Sequence, residues 1–307
     1  MKQIVRWLHS RSQRRVLILG YHRVADEPSD PFDLTVTPAA LDAQLAYLAR
    51  RTRPVSLRQA VSELVEGTPH PRSVVVTFDD GYHDTLATAL PLLERHRMPA
   101  TVFVTTGNPG EPFWWEVLAR SVSTATRLPD PVSIELNGRT MTLSTRDPVA
   151  FLQRLAAALQ GLDSDSRTAT LGALIQRWKP ARVESAARAL REDEIERLGS
   201  HPLIEIGGHS VTHSALAGLS LAQQRSEIGE NRRTLERVLG AAVTSFSYPH
   251  GSYAADTQEI LRAEGYQAAC SSVPDAATAR SDVLALPRLW VDGRRSRRFE
   301  RSLERWL

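Results

Sequence analysis

The sequence predicts an α/β protein, either a (β/α) barrel or a doubly wound parallel sheet, and two observations carry that expectation. Short β-branched runs recur that are apolar throughout rather than alternating, the pattern of strands covered on both faces. Segments with apolar residues at helical spacing lie between them, so strand and helix alternate along most of the chain.

The strand runs are Val16–Tyr21, Ser73–Phe78, Ala100–Thr105, Ile204–Gly208, Val243–Tyr248, Gln267–Cys270 and Leu286–Val291. The helical segments are Pro38–Thr52, Leu57–Glu66, Asp84–Arg97, Ser220–Leu239 and Tyr253–Glu264. Thr37-Pro38 and Ser220 are start signals, because a hydroxyl caps a free N–H of the first turn and proline needs none there. Gly240 and Gly265 are stop signals. The rhythm breaks at about residues 109–191. That stretch holds the aromatic cluster Phe113, Trp114 and Trp115, further helical stretches, and a hairpin signal at Asn137-Gly138 between Val132–Leu136 and Thr140–Leu143. It reads as a largely helical insertion within a single domain spanning residues 1–307, placed to form a lid or substrate wall.

With 42% hydrophobic and 24% charged residues, the 307-residue chain has an ordinary globular composition. Nearly all basic residues are arginine, and many sit near the ends: Arg6, Arg11, Arg14 and Arg15, then Arg294, Arg295, Arg297, Arg298, Arg301 and Arg305. These ends suit two solvated helices, or at most peripheral contact with a phospholipid surface. With a formal net charge of only +3, nucleic acid is not an expected partner. The single cysteine, Cys270, has no internal disulfide partner and reads as a buried strand residue. No apolar stretch approaches the ~18–20 residues that span a bilayer. The first fifteen residues lack a continuous apolar run of the secretory kind, so a cytoplasmic location is expected.

Three constellations carry chemistry, each at the end of an expected strand. Thr77-Phe78-Asp79-Asp80-Gly81 puts two adjacent carboxylates where catalytic groups gather in α/β barrels, although the same residues suit a helix-capping turn. His209-Ser210-Val211-Thr212-His213 has two imidazoles four apart, which converge if the segment coils into a helical turn. Two neutral imidazoles and one carboxylate make a three-ligand divalent-metal site with open positions. Phe246-Ser247-Tyr248-Pro249-His250-Gly251 ends in a turn that suits either a plain strand end or a backbone N–H held out to a developing oxyanion.

Together these blocks resemble the polysaccharide deacetylases, the NodB-homology group of carbohydrate esterase family 4. The first two match that family's first and second motifs, and the third is similar to its third motif in a variant form. Leu19-Gly20-Tyr21-His22-Arg23-Val24 is similar to the opening strand of many bacterial members, which places His22 near the active site. The resemblance implies a distorted (β/α) barrel, with Asp79 as general base and Asp80, His209 and His213 holding zinc or a similar divalent ion. It implies hydrolysis of an N-acetyl group on a glycan or on its lipid-linked or nucleotide-linked precursor. His250 is then a candidate to share the oxyanion charge. His22, Tyr248 and Pro249 are candidates for substrate contact, and Trp114 and Trp115 for stacking on a pyranose ring.

Two departures from the family pattern stand out. Ser247 occupies a position where many members have an arginine that orients the catalytic aspartate. Leu286-Pro287-Arg288-Leu289-Trp290 stands where others end with a Leu-x-His that supplies the general acid. Arg288 is therefore a candidate for the orienting role, or else a structural arginine, and the proton donor falls to His22, His83 or His250. A small-molecule amidase of the same fold and an inactive glycan-binding module are the competing functions.

Overall fold

The computed structural model describes residues 15–27, 29–126, 128–136, 138–181, 187–291, 299–304 and 306. Arg6, Arg11, Arg14, Asn137, Arg294, Arg295, Arg297, Arg298 and Arg305 lie outside the described residues. Among those described, no helix is long and apolar enough to cross a membrane.

Parallel strands form the frame, in the spatial order Ala268–Cys270, Ser245–Ser247, Ile204–Gly208, Ala100–Val104, Ser73–Phe78 and Arg15–Tyr21. On the remaining side of Arg15–Tyr21, Leu289–Trp290 pairs in parallel with Leu19 and Gly20, and Ala277–Thr278 pairs antiparallel with Arg15 and Val16. Leu286 bridges back to Cys270, so the sheet curls into a distorted barrel whose last stave is the irregular run 286–290. Pro287 has no N–H to give to a ladder, and the expected strand Leu286–Val291 accordingly pairs as a strand over Leu289–Trp290 alone.

Both faces of the strands are buried, as the unbroken apolar runs require. Val16, Ile18, Val75, Phe103 and Leu286 join the interior cluster, together with Leu57, Ala60 and Leu64 of the helix Leu57–Val65. Leu17, Leu19, Val74, Val76 and Val102 face the outer helices. The helix expected over Asp84–Arg97 begins instead as a π-helical turn, Thr85–Ala89, before the α-helix Leu90–His96. Pro91 lacks the N–H that would bond Ala87, and the widened turn absorbs that missing bond.

Residues 114–178 fold as the helix Trp114–Ser123, the hairpin Val132–Leu136/Arg139–Leu143, and the helices Pro148–Gln160 and Ser164–Trp178. They enclose a separate apolar cluster that includes Leu118, Val132, Phe151, Leu155 and Trp178. Gln153 donates to the Pro31 carbonyl at 2.9 Å and Arg167 to the Thr212 carbonyl at 2.8 Å, which fixes this layer against the barrel rim.

Candidate active site

The strand Ser73–Phe78 delivers Asp79 and Asp80 to the rim, and the backbone there explains why two adjacent carboxylates do different things. Asp80 and Gly81 both lie in the left-handed region, with φ of 73° and 81°. That double reversal turns Asp80 away from the direction of Asp79. Aspartate tolerates the conformation. At Gly81 a Cβ would also come within 3.2 Å of the Val104 Cα, so glycine is required twice over.

Asp79 faces Arg288. The fully buried guanidinium makes a two-pronged pair with it, Nη1 to Oδ1 at 2.7 Å and Nη2 to Oδ2 at 2.9 Å. Arg288 is itself held by the Ser271 carbonyl at 3.1 Å and the Thr77 hydroxyl at 3.1 Å. Ser247 accepts from Arg288 Nη2 at 2.8 Å and donates to Asp79 Oδ2 at 2.9 Å. Burial alone would raise the pKa of Asp79, but the charge of Arg288, the largest opposing influence, outweighs it and holds the carboxyl below its ordinary value. By lone-pair count, Oδ1 keeps one acceptor position free.

Asp80 faces the two histidines. Its Oδ1 lies 3.3 Å from His209 Nε2 and 3.2 Å from His213 Nε2, all three groups being buried. His209 Nδ1 is 2.7 Å from the Ser247 carbonyl, so it carries the proton and leaves Nε2 bare in the neutral ring. Asp80 Oδ1 accepts no hydrogen bond of ordinary geometry. His209 Nε2 and Asp80 Oδ1 are therefore bare acceptors at close range, which repel each other unless a cation or proton stands between them, and the buried His213 Nδ1 has no partner to fix that ring's tautomer. Two imidazole nitrogens and one carboxylate oxygen suit a divalent transition metal, zinc among them. The carboxylates also pull the His209 pKa up against burial, and burial pulls that of His213 down.

The segment 209–213 is not the helical turn expected from its spacing. It is a loop in which Ser210 and His213 take positive φ of 63° and 54°. The following helix Leu221–Leu239 pins it. Glu227 accepts from the N–H groups of Val211 at 2.9 Å and Thr212 at 2.8 Å. Asn231 accepts from the His209 N–H at 3.1 Å and donates to the carbonyls of Ser210 at 2.7 Å and Val104 at 3.0 Å. The Ser210 hydroxyl accepts from the His213 N–H at 3.0 Å. The imidazoles converge through these side-chain bonds, not through helical geometry.

One cleft gathers most of the candidates: His22, Asp79, Asp80, Trp114, Trp115, His209, His213, Tyr248, His250 and Trp290 all line it. Trp114 and Trp115 belong partly to a local aromatic core. Trp115 stacks on Phe113, donates to the Tyr82 hydroxyl at 2.6 Å and lies 4.7 Å from the His213 ring. The Tyr248 hydroxyl donates to the Leu284 carbonyl and its N–H to Cys270, so its polar atoms serve the barrel while its ring borders the cleft. Pro249 is buried at the start of the turn Pro249–Gly251 and does not line the cleft. His250 sits exposed at the rim, 4.4 Å from the His213 ring, and its partial desolvation and the neighbouring imidazoles pull its pKa down. His83 points elsewhere, toward Arg188 and Glu194.

Asn231 and Glu227 escaped the sequence reading, although a signal was present. Asn231 shares the buried stripe of its helix with Ile228 and Leu235, and a polar residue on such a stripe has a bonding task.

The family profile described as Polysaccharide deacetylase matches residues 66–129 and 145–269, more than half of the chain. The unmatched interval 130–144 holds the hairpin. A Bacillus subtilis polysaccharide deacetylase homologue, YxkH, is 21% identical over 93% of this chain and 74% of its own length. The Escherichia coli poly-beta-1,6-N-acetyl-D-glucosamine N-deacetylase is 36% identical over 27% of this chain, which corresponds to only 12% of that protein. Among solved structures, the Streptococcus pyogenes deacetylase PplD in complex with acetate superposes with a TM-score of 0.63 at 18% identity, covering 94% of this chain and 98% of that one. IcaB from Ammonifex degensii gives 0.58 at 18%, covering 93% and 95%. These likenesses show the fold, a distorted α/β barrel. With that profile matched over most of the chain and all three motifs, Thr77–Gly81, His209–His213 and Phe246–Gly251, inside it, this chain belongs to the polysaccharide deacetylase family.

Proposed function

We propose that this protein is a metal-dependent N-deacetylase of an N-acetylated sugar, carried in a glycan or in its lipid-linked or nucleotide-linked precursor. The observation that carries the reading is the pairing of two unlike carboxylates: Asp80 within 3.3 Å of the Nε2 atoms of both His209 and His213, and Asp79 kept ionised beside it by Arg288. Pure binding needs no such division. The E. coli relative, named as a deacetylase of an N-acetylglucosamine polymer, supports an N-acetylhexosamine as the reacting unit.

Asp80, His209 and His213 would hold the divalent ion, and their two imidazole nitrogens and one carboxylate oxygen suit zinc. When bound there, such an ion polarises the acetyl carbonyl and makes a neighbouring water easier to deprotonate. Asp79 accepts that water's proton, and a well-placed base is worth roughly 10²–10⁴ in rate. Arg288 and Ser247 fix the carboxylate's orientation and keep it charged. The leaving nitrogen must gain a proton as the C–N bond breaks, giving acetate and the free amine. His22 is our choice of donor, because it lines the cleft, whereas His83 lies outside it and the His250 ring packs edge-on against the His213 imidazole. Trp114 and Trp115 offer apolar faces for a pyranose ring.

The test is acetate release from N-acetylhexosamine oligomers, lipid-linked sugars and nucleotide sugars, using metal-loaded protein and a chelated control. Acetate that appears only with metal and only from acetylated amino sugars supports the proposal. Release only from non-sugar amides would favour a small-molecule amidase, and no release from any acetylated compound would favour a binding module.

A further inference from the structure

We propose that Trp290 is a positioning residue for proton donation, its indole fixing the His22 imidazole at the leaving nitrogen. The inference rests on the proposed deacetylation with His22 as donor. Its starting point is how differently the histidines in and around the site are held. His209 is oriented by the Ser247 carbonyl, and His83 by Arg188. The His22 imidazole makes no hydrogen bond among the described residues, yet its ring lies flat on Trp290, with centroids 4.6 Å apart and planes inclined by 15°. With no hydrogen bond to set its rotamer, contact with the indole is what fixes that ring.

Trp290 is in turn firmly placed. It pairs with Gly20 in the barrel, and a Cβ at Gly20 would stand 2.8 Å from the indole carbons Cε3 and Cζ3, so only glycine lets the ring lie there. The Arg288 guanidinium sits 4.6 Å from the indole centroid. One short stave thus reaches both proton-handling groups, Asp79 through Arg288 and His22 through Trp290. Proton transfer needs the donor within hydrogen-bond reach of the nitrogen, and a shift of about 1 Å can cost on the order of 10²-fold.

The experiment compares Trp290→Leu, Trp290→Phe and His22→Asn on two substrates. One is an N-acetyl amino sugar, whose amine leaves only when protonated. The other is 4-nitrophenyl acetate, whose phenolate leaves without a proton. Trp290→Leu should lose about tenfold or more on the amide, within the range a misplaced acid gives, and change ester turnover little. Trp290→Phe, which keeps an aromatic face, should recover most of the loss, and His22→Asn should show the same amide-only defect. Equal losses on both substrates in Trp290→Leu, or an intact amide rate, overturn the proposal while leaving His22 as donor. Full amide turnover in His22→Asn instead removes the donor assignment on which it rests. Should Trp290→Leu fail to fold, the wild-type NMR spectrum decides. The His22 ring protons should be shifted upfield by the indole, and ordinary shifts overturn the stack itself.

Discussion

Arg288→Met removes the guanidinium from the Asp79 pair and leaves an uncharged side chain of similar length. In the native site burial pushes the Asp79 pKa up, and Arg288 is the largest influence pulling it down. A neighbouring guanidinium lowers a carboxyl pKa by about 1–3 units, each unit being worth about 1.36 kcal/mol. Loss of one partner from a buried pair costs about 3–5 kcal/mol, which agrees with the upper part of that range. The acidic limb of kcat/KM should therefore move upward by roughly 1–3 pH units, with a lower plateau. The sign of the stability change follows from the direction of each shift. The native Asp79 pKa is depressed, so its contribution is present above the unfolded pKa and fades as pH falls through the folded one. In Arg288→Met burial dominates and the folded pKa is raised, so the variant gains stability as pH falls. Thermal unfolding of both metal-free proteins across pH, beside the pH–rate profiles, measures this. An unmoved acidic limb with a near-normal rate would refute the reasoning. Arg288→Lys keeps a charge without the fork, and should shift the limb less than it lowers the rate.

Three other outcomes are expected. Asn231→Ala should weaken metal affinity by about 10–100-fold, as loss of an outer support does, and calorimetric titration with zinc checks it. Trp114→Ala should weaken turnover of an acetylated glycan with metal content unchanged; a loss of melting temperature with intact kinetics would make Trp114 a packing residue alone. Gly81→Ala should destabilise the fold by about 1–3 kcal/mol in denaturant unfolding, because its φ of 81° and the Val104 backbone both oppose a Cβ.

Much of the frame was legible because burial on both faces writes largely apolar runs, as in Ser73–Phe78 and Ala100–Val104. The gathering of Asp79, Asp80, His209 and His213 at one rim was likewise readable, since each follows a strand and strand ends share a rim. The cause of the histidines' convergence was hidden. Spacing alone suggested a helical turn, whereas two positive-φ residues and bonds from Glu227 and Asn231 shape the loop. Those partners lie 15 or more positions along the chain, and although Asn231 stands out on its helix's buried stripe, nothing local pairs it with this loop. The Arg288–Asp79 pair spans 209 positions and was approachable only because Ser247 left an arginine missing. The stacking of His22 on Trp290 depends on how the barrel closes, which no run of residues discloses.

The central claim is that Asp80, His209 and His213 hold a metal while Asp79 acts as base without holding it. Metal content measured beside turnover in purified Asp79→Asn, Asp80→Ala, His209→Ala and His213→Ala tests it most directly. Asp79→Asn should keep its ion and lose most of kcat, and the other three should lose ion and activity together. A metal-free Asp79→Asn with a metal-bound Asp80→Ala would reverse the two roles, and four active variants would contradict the mechanism altogether.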